Sequence, residues 1–181
     1  GVPPAPGERA GGTPDLPGQE ALCIHHLVEA QVRRTPDAVA LIHLGRAYRY
    51  GEINSRANRL AHLLRSRGVG PEVRVGLLID RSVEMAIGLL GILKAGGAYV
   101  PLDPSEPKRR LAGLLEDAAV SVILTRESLR DRLPALPAEI VCLDRDEAFG
   151  REPDHDLVGG AAPANAAYVI FTSGSTGQPR G

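Results

Sequence analysis

The chain has 181 residues, 43% hydrophobic and 24% charged, with a formal net charge of -1 at pH 7; this suits one domain plus a tail and leaves no basic field to hold a polyanion. Aromatic residues make up 3% and tryptophan is absent, so the platforms that stack unpaired bases are missing as well. No stretch nears the ~18 continuous apolar residues of a membrane span and no basic-then-apolar leader opens the chain, so neither nucleic acid nor membrane is an expected partner and the cytoplasm is the expected compartment.

Residues 1–20 are dense in Pro and Gly and nearly free of apolar side chains, so they cannot bury the surface that would offset the entropy of ordering. They read as a linker, and 21–181 as the folded unit. A helix is expected from Ala21 to about Arg34, followed by a hairpin: an apolar run from Ala38 to Leu44, a Gly45-Arg46 turn and a short strand ending at Tyr50. Ile53, Ala57, Leu60, Ala61 and Leu64 recur at one-face helical spacing, which predicts a helix ending at Gly68.

Val73 to Ile79 reads as a buried strand, Ser82 as the N-cap of a helix running to Ala95, and Gly96-Gly97 as its stop before a strand at Ala98 to Leu102. Pro107 suits the first turn of a helix carrying Leu111, Leu114 and Leu115 inward. Strands at Val120 to Leu124, Glu139 to Leu143 and Ala167 to Phe171 follow, with a short helix at Glu127 to Arg132 between the first two. Strands alternating with helices call for a mostly parallel sheet in a three-layer α/β/α fold.

Chemistry concentrates at Thr172-Ser173-Gly174-Ser175-Thr176-Gly177-Gln178-Pro179-Arg180-Gly181. Glycines let backbone N–H groups approach an anion, hydroxyls add donors, and Arg180 supplies charge. On composition alone the segment reads at least as readily as a Gly/Ser surface turn. It is neither a Walker A loop, since Gln178-Pro179 follows Gly177 where Lys and a hydroxyl are needed, nor GxGxxG. Cys23 and Cys142 lack a CxxC spacing and are expected as buried free thiols. His25-His26 and Asp154-His155-Asp156 could be metal ligands, but helix-surface histidines and a solvated acidic loop are the expected readings, so no metal site is assigned.

Two strings, YVIFTSGSTGQPRG (Tyr168 to Gly181) and LKAGGAYVPLDP (Leu93 to Pro104), resemble the phosphate loop and the second core motif of nonribosomal peptide synthetase adenylation domains, members of the adenylate-forming, AMP-binding superfamily. Tyr48 to Ile53 and Arg33 to Ala40 are similar to the family's first core motif and opening, so the resemblance covers Leu22 to Gly181. Ile53 replaces a usual Leu, Glu106 and Phe171 each a usual Tyr, and Arg180 the usual Lys. A guanidinium keeps the charge but brings a planar fork in place of a point charge.

The resemblance implies an adenylate-forming ligase: an amino-acid carboxylate attacks the α-phosphate of Mg-ATP, and the acyl group then passes to the phosphopantetheine thiol of a peptidyl carrier protein. Thr172, Ser173, Gly174, Ser175, Thr176 and Gly177 would wrap the β and γ phosphates, with Arg180 nearby. Ligands of Mg2+, the adenine and amino-acid contacts and the catalytic lysine would lie downstream, so no residue here is assigned a catalytic role. The chain then reads as an N-terminal piece, inactive alone, with residues 1–20 fitting a linker after an upstream condensation domain or a free terminus. An acyl- or aryl-CoA ligase of the same superfamily, or a non-catalytic subdomain serving only assembly, are the alternatives, and the Leu93 to Pro104 string favours the synthetase.

Overall fold

The structure, a computed structural model, describes residues 22–145 and 149–171. Within them the order is α1 (Ile24–Arg34), β1 (Val39–His43), β2 (Arg46–Arg49), α2 (Tyr50–Ser66), β3 (Arg74–Leu78), α3 (Val83–Ala95), β4 (Ala98–Leu102), α4 (Lys108–Asp117), β5 (Val122–Thr125), a 3-10 helix (Glu127–Arg132) and β6 (Glu139–Cys142). The four later strands form one sheet in the order β4-β3-β5-β6, with every neighbouring pair parallel.

Alternation along these strands separates two apolar faces. Val75, Leu77, Val122, Leu124 and Val141 join Leu60 and Leu64 of α2 and Ile87 and Ile92 of α3 in one core. Leu78, Val100, Leu102 and Ile123 join Leu111 and Leu115 of α4 in the other. The strand order explains the division. The step from β3 to β4 runs one way along the sheet and the step from β4 to β5 runs the other, so crossovers of one hand place α3 and α4 on opposite faces. The expected three-layer α/β/α arrangement results.

Ile53, Ala57, Leu60, Ala61 and Leu64, the face predicted for α2, are all buried. β1 and β2 pair antiparallel as a separate two-stranded hairpin, turning at Leu44 and Gly45, both at positive φ, the backbone of a primed turn that matches strand twist. Ser82 caps α3 by accepting the Met85 N–H at 3.4 Å, and Gly96 ends it at φ 96. Pro107 is the N-cap of α4, one position before its first turn.

One predicted strand is nearly absent. Residues 167–171 make a single parallel bridge, Tyr99 to Tyr168, in which the Tyr99 N–H donates to the Ala167 carbonyl at 3.1 Å and the Val169 N–H to the Tyr99 carbonyl at 3.0 Å. The next rung would need a donor from Pro101, which has none. Pro101 therefore both tolerates its place on the edge strand and stops the ladder after one step.

Candidate functional site

Thr172, Ser173, Gly174, Ser175, Thr176, Gly177 and Arg180, the phosphate-loop residues singled out in the sequence, lie outside the described residues. What the structure gives is the approach to them. The bridge at Tyr99 makes residues 167–171 run parallel to β4, towards the carboxyl edge where open parallel sheets bind ligands. Val169 and Phe171 pack on the α4-side core, and the Tyr99 and Tyr168 rings lie 5.7 Å apart.

Glu72 fixes the start of this approach. Its Oε1 accepts from Asn165 Nδ2 at 2.9 Å and from the Ala166 N–H at 3.2 Å, and the Asn165 side chain in turn accepts from the Ala162 N–H at 2.7 Å. The hydrogen bond from Asn165, then that from Ala166, hold the Glu72 carboxyl below its ordinary range. Past the end of β4, Asp103 Oδ1 accepts the Ser105 N–H at 2.8 Å, which lowers its pKa too. Arg132 bonds the Pro104 and Glu106 carbonyls and so ties that turn to the 3-10 helix.

The Leu93 to Pro104 string is the joint that builds this edge. A Cβ at Gly97 would sit 2.7 Å from Val69 Cγ1 and 3.1 Å from the Val73 carbonyl, so only glycine fits where the chain turns from α3 into β4. Lys94 is 2% exposed, and its Nζ lies 2.5 Å from Glu29 Oε1 and 3.0 Å from Asp156 Oδ1. Asp156 also accepts from Asn54 and Asn58 at 3.1 Å each, and Arg33 stands 3.6 Å away. Desolvation pushes the Asp156 pKa up, but the bonds from Asn54, Lys94 and Asn58 outweigh it and the net shift is downward.

This cluster corrects the solvated reading of Asp154-His155-Asp156 at one position: Asp154 and His155 are exposed, as expected, but Asp156 is half-buried. Asp156 is the counter-ion of a buried lysine, and Asp154 accepts from Ser55 and, through its carbonyl, from Asn58. Arg65 holds the following stretch by donating to the Ala95, Val158 and Gly159 carbonyls. The surface-histidine reading is corrected in part: His26 is exposed, but His25 is only 5% exposed, and burial first, then His26, lowers its pKa. Of the thiols Cys142 is buried and Cys23 is half-buried. Burial and a hydrogen bond to Glu127 raise the Cys142 pKa.

Sequence reasoning missed Glu29, Glu72, Asn54 and Asn58. Asn54 and Asn58 carried a signal, since they sit beside Ile53 and Ala57 on a face otherwise apolar. Glu72, exposed in a turn, carried none.

Residues 28–181 match the family model described as AMP-binding enzyme. The chain is 50% identical over 168 residues to a linear gramicidin synthase of Brevibacillus parabrevis, a match covering 92% of this chain and 3% of that protein. Among solved structures it is similar to the nonribosomal peptide synthetase FmoA3 in an AMPPNP-bound form, at 38% identity and a TM-score of 0.80, over 84% of this chain and 16% of that one. The N-terminal subdomain of Klebsiella oxytoca NpsA shares the fold at 24% identity and a TM-score of 0.73, over 89% and 41% of the two chains. The chain thus spans a small part of the relatives it matches.

Proposed function

Because the chain belongs to the AMP-binding enzyme family, we propose that it forms the N-terminal part of an adenylation domain that activates an amino acid with ATP for loading onto a carrier protein in nonribosomal peptide synthesis. The observation that carries this reading is the bridged segment 167–171 on β4, which heads for the carboxyl edge of the parallel sheet with Thr172 next in sequence. A phosphate cradle there, made of backbone N–H groups and hydroxyls from Thr172, Ser173, Gly174, Ser175, Thr176 and Gly177 with the Arg180 guanidinium, neutralises the β and γ phosphates while the carboxylate attacks the α-phosphate. The similarity to a synthetase crystallised with AMPPNP and the 50% identity to a gramicidin synthase support the same assignment.

ATP and Mg2+ are the cofactors of this reading, with the magnesium ligands in later parts of the domain. Phosphopantetheine on a peptidyl carrier protein is the acceptor, and a condensation domain fits as the upstream neighbour.

The 181-residue chain alone is expected to give no amino-acid-dependent ATP–pyrophosphate exchange. Spliced to the region that follows the matching segment of the same linear gramicidin synthase, it is expected to give exchange that Arg180→Ala and Ser175→Ala each reduce. Exchange indifferent to both substitutions would overturn the loop assignment, and acyl-CoA formation from a fatty or aryl acid would replace the synthetase reading with the ligase one.

A further inference from the structure

The first turn of α1 gathers three soft donors that the adenylation reading does not use. Cys23 is the N-cap of the helix, and the His26 N–H donates to the Cys23 carbonyl at 3.1 Å, which folds residue 23 back over residue 26. The His25 and His26 rings meet edge to face with centroids 4.2 Å apart. As a result the Cys23 thiol and one nitrogen of each imidazole all lie within 4.8 Å of one another. His25 is buried, with 5% of its surface exposed. Among the described residues no group hydrogen-bonds its imidazole, so no bond has to break for a ring nitrogen to meet an ion. Cys23 and His25 also line a small cavity, about 150 Å³, with Leu22, Leu93 and Ala161 among its other walls.

We propose that Cys23, His25 and His26 form a binding site for one thiophilic divalent transition-metal ion, with zinc as the reference case. A tetrahedral zinc site with Zn–S near 2.3 Å and Zn–N near 2.0–2.1 Å sets its donors about 3.3–3.6 Å apart, so modest side-chain rotations close the present trio around an ion. The donor set selects the metal class. A thiolate and two imidazoles suit zinc and its neighbours, whereas Mg2+ and Ca2+ require oxygen ligands. The nearest carboxylate on α1, Glu29, is committed to Lys94.

Three protein ligands leave a fourth position for a water or small ligand, and the cavity beside Cys23 and His25 provides room for it. The helix N-terminus disfavours a bare cation, and the negative thiolate offsets this. Binding converts Cys23–SH and the ion to a metal–thiolate bond with release of the proton to solvent. It also ends the thiol's donation to the Ala161 carbonyl, now 3.4 Å, so occupancy is felt in the stretch that leads to Asn165.

The test is titration of the reduced 181-residue chain with Co2+ and, in competition with a chromophoric chelator, with Zn2+. One equivalent of Co2+ should bind with a thiolate-to-cobalt charge-transfer band and tetrahedral visible absorption. Cys23→Ser should abolish the charge-transfer band, and His26→Gln, an exposed position whose replacement leaves the fold intact, should weaken Zn2+ binding at least tenfold. Cys142→Ser and His62→Gln should change neither, the latter removing a ring of the separate His62–His155 pair. Substoichiometric binding, a charge-transfer band that survives Cys23→Ser, unchanged affinity in His26→Gln, or a loss of affinity in His62→Gln would each overturn the site.

Discussion

Lys94 on α3 and Glu29 on α1 are joined by a 2.5 Å contact between Nζ and Oε1, with both residues buried. The Lys94 side chain is 1% exposed and that of Glu29 10%, so neither charge has much water to fall back on. Asp156 completes it from the far end of the chain, and three separate stretches are thereby fixed to one ammonium group.

Removing one partner of such a pair strands the other. Lys94→Met should therefore destabilise the chain by about 3–5 kcal/mol, seen as a lower urea midpoint with an unchanged slope. Lys94→Met combined with Glu29→Gln should recover a large part of that loss, because position 29 no longer carries a buried charge and the half-buried Asp156 keeps Asn54, Asn58 and Arg33 as partners. If the double variant is as unstable as the single one, packing of the lysine stem matters more than its charge.

Acid should loosen the same cluster. The folded pKa of Asp156 lies below its ordinary value, so its contribution is complete above the unfolded pKa, near 3.9, and is lost as pH falls through the lower folded value. A urea stability profile from pH 7 down to pH 2 should thus be shallower at its acid end in Asp156→Asn than in the parent chain.

The parallel sheet and the helix faces were legible in the sequence because burial imposes a period, and the periods at Ile53 to Leu64 and in the β-branched strands survive in the structure. The strand at 167–171 is weaker than its sequence suggests because an apolar run says nothing about the donors opposite it, and Pro101 lies 66 positions before Ala167. The Lys94 cluster was illegible for a similar reason. Glu29, Lys94 and Asp156 are ordinary surface residues until the fold brings them together across 65 and 62 positions. The Thr172 to Gly181 string and a family resemblance pointed to a phosphate loop that lies outside the described residues, while the hold of Glu72 and Tyr99 on residues 165–169 came from the structure.

Two glycines in helices should respond to alanine with opposite signs. At Gly91 a Cβ would sit 2.6 Å from Leu60 Cδ2, where α3 rests on α2, and overpacking of this kind costs about 1–3 kcal/mol. At Gly113 of α4 a Cβ meets nothing within 4 Å, so alanine should add about 0.5–1 kcal/mol through helix propensity. Thermal melts of Gly91→Ala and Gly113→Ala against the parent chain read both; equal shifts would mean that α3 and α2 can separate at no cost.

Glu72 offers a test of how the approach to the phosphate loop is held. The residue sits at φ 65, a conformation that side chains other than Gly, Asn and Asp adopt at a cost, and its carboxylate is the acceptor for both Asn165 and Ala166. Glu72→Gln keeps an acceptor oxygen in reach and the same backbone restriction, whereas Glu72→Ala keeps the restriction and removes the acceptor. Comparing the two therefore isolates the hydrogen bonds from the strain. In hydrogen exchange the Ala166 amide should lose protection in Glu72→Ala and keep most of it in Glu72→Gln, with the Val169 amide, held independently by the Tyr99 carbonyl, affected less than Ala166. In the spliced enzyme the same order should appear as a rise in the KM for ATP, larger for alanine than for glutamine, because a loosened approach leaves the loop to be positioned at the moment of binding.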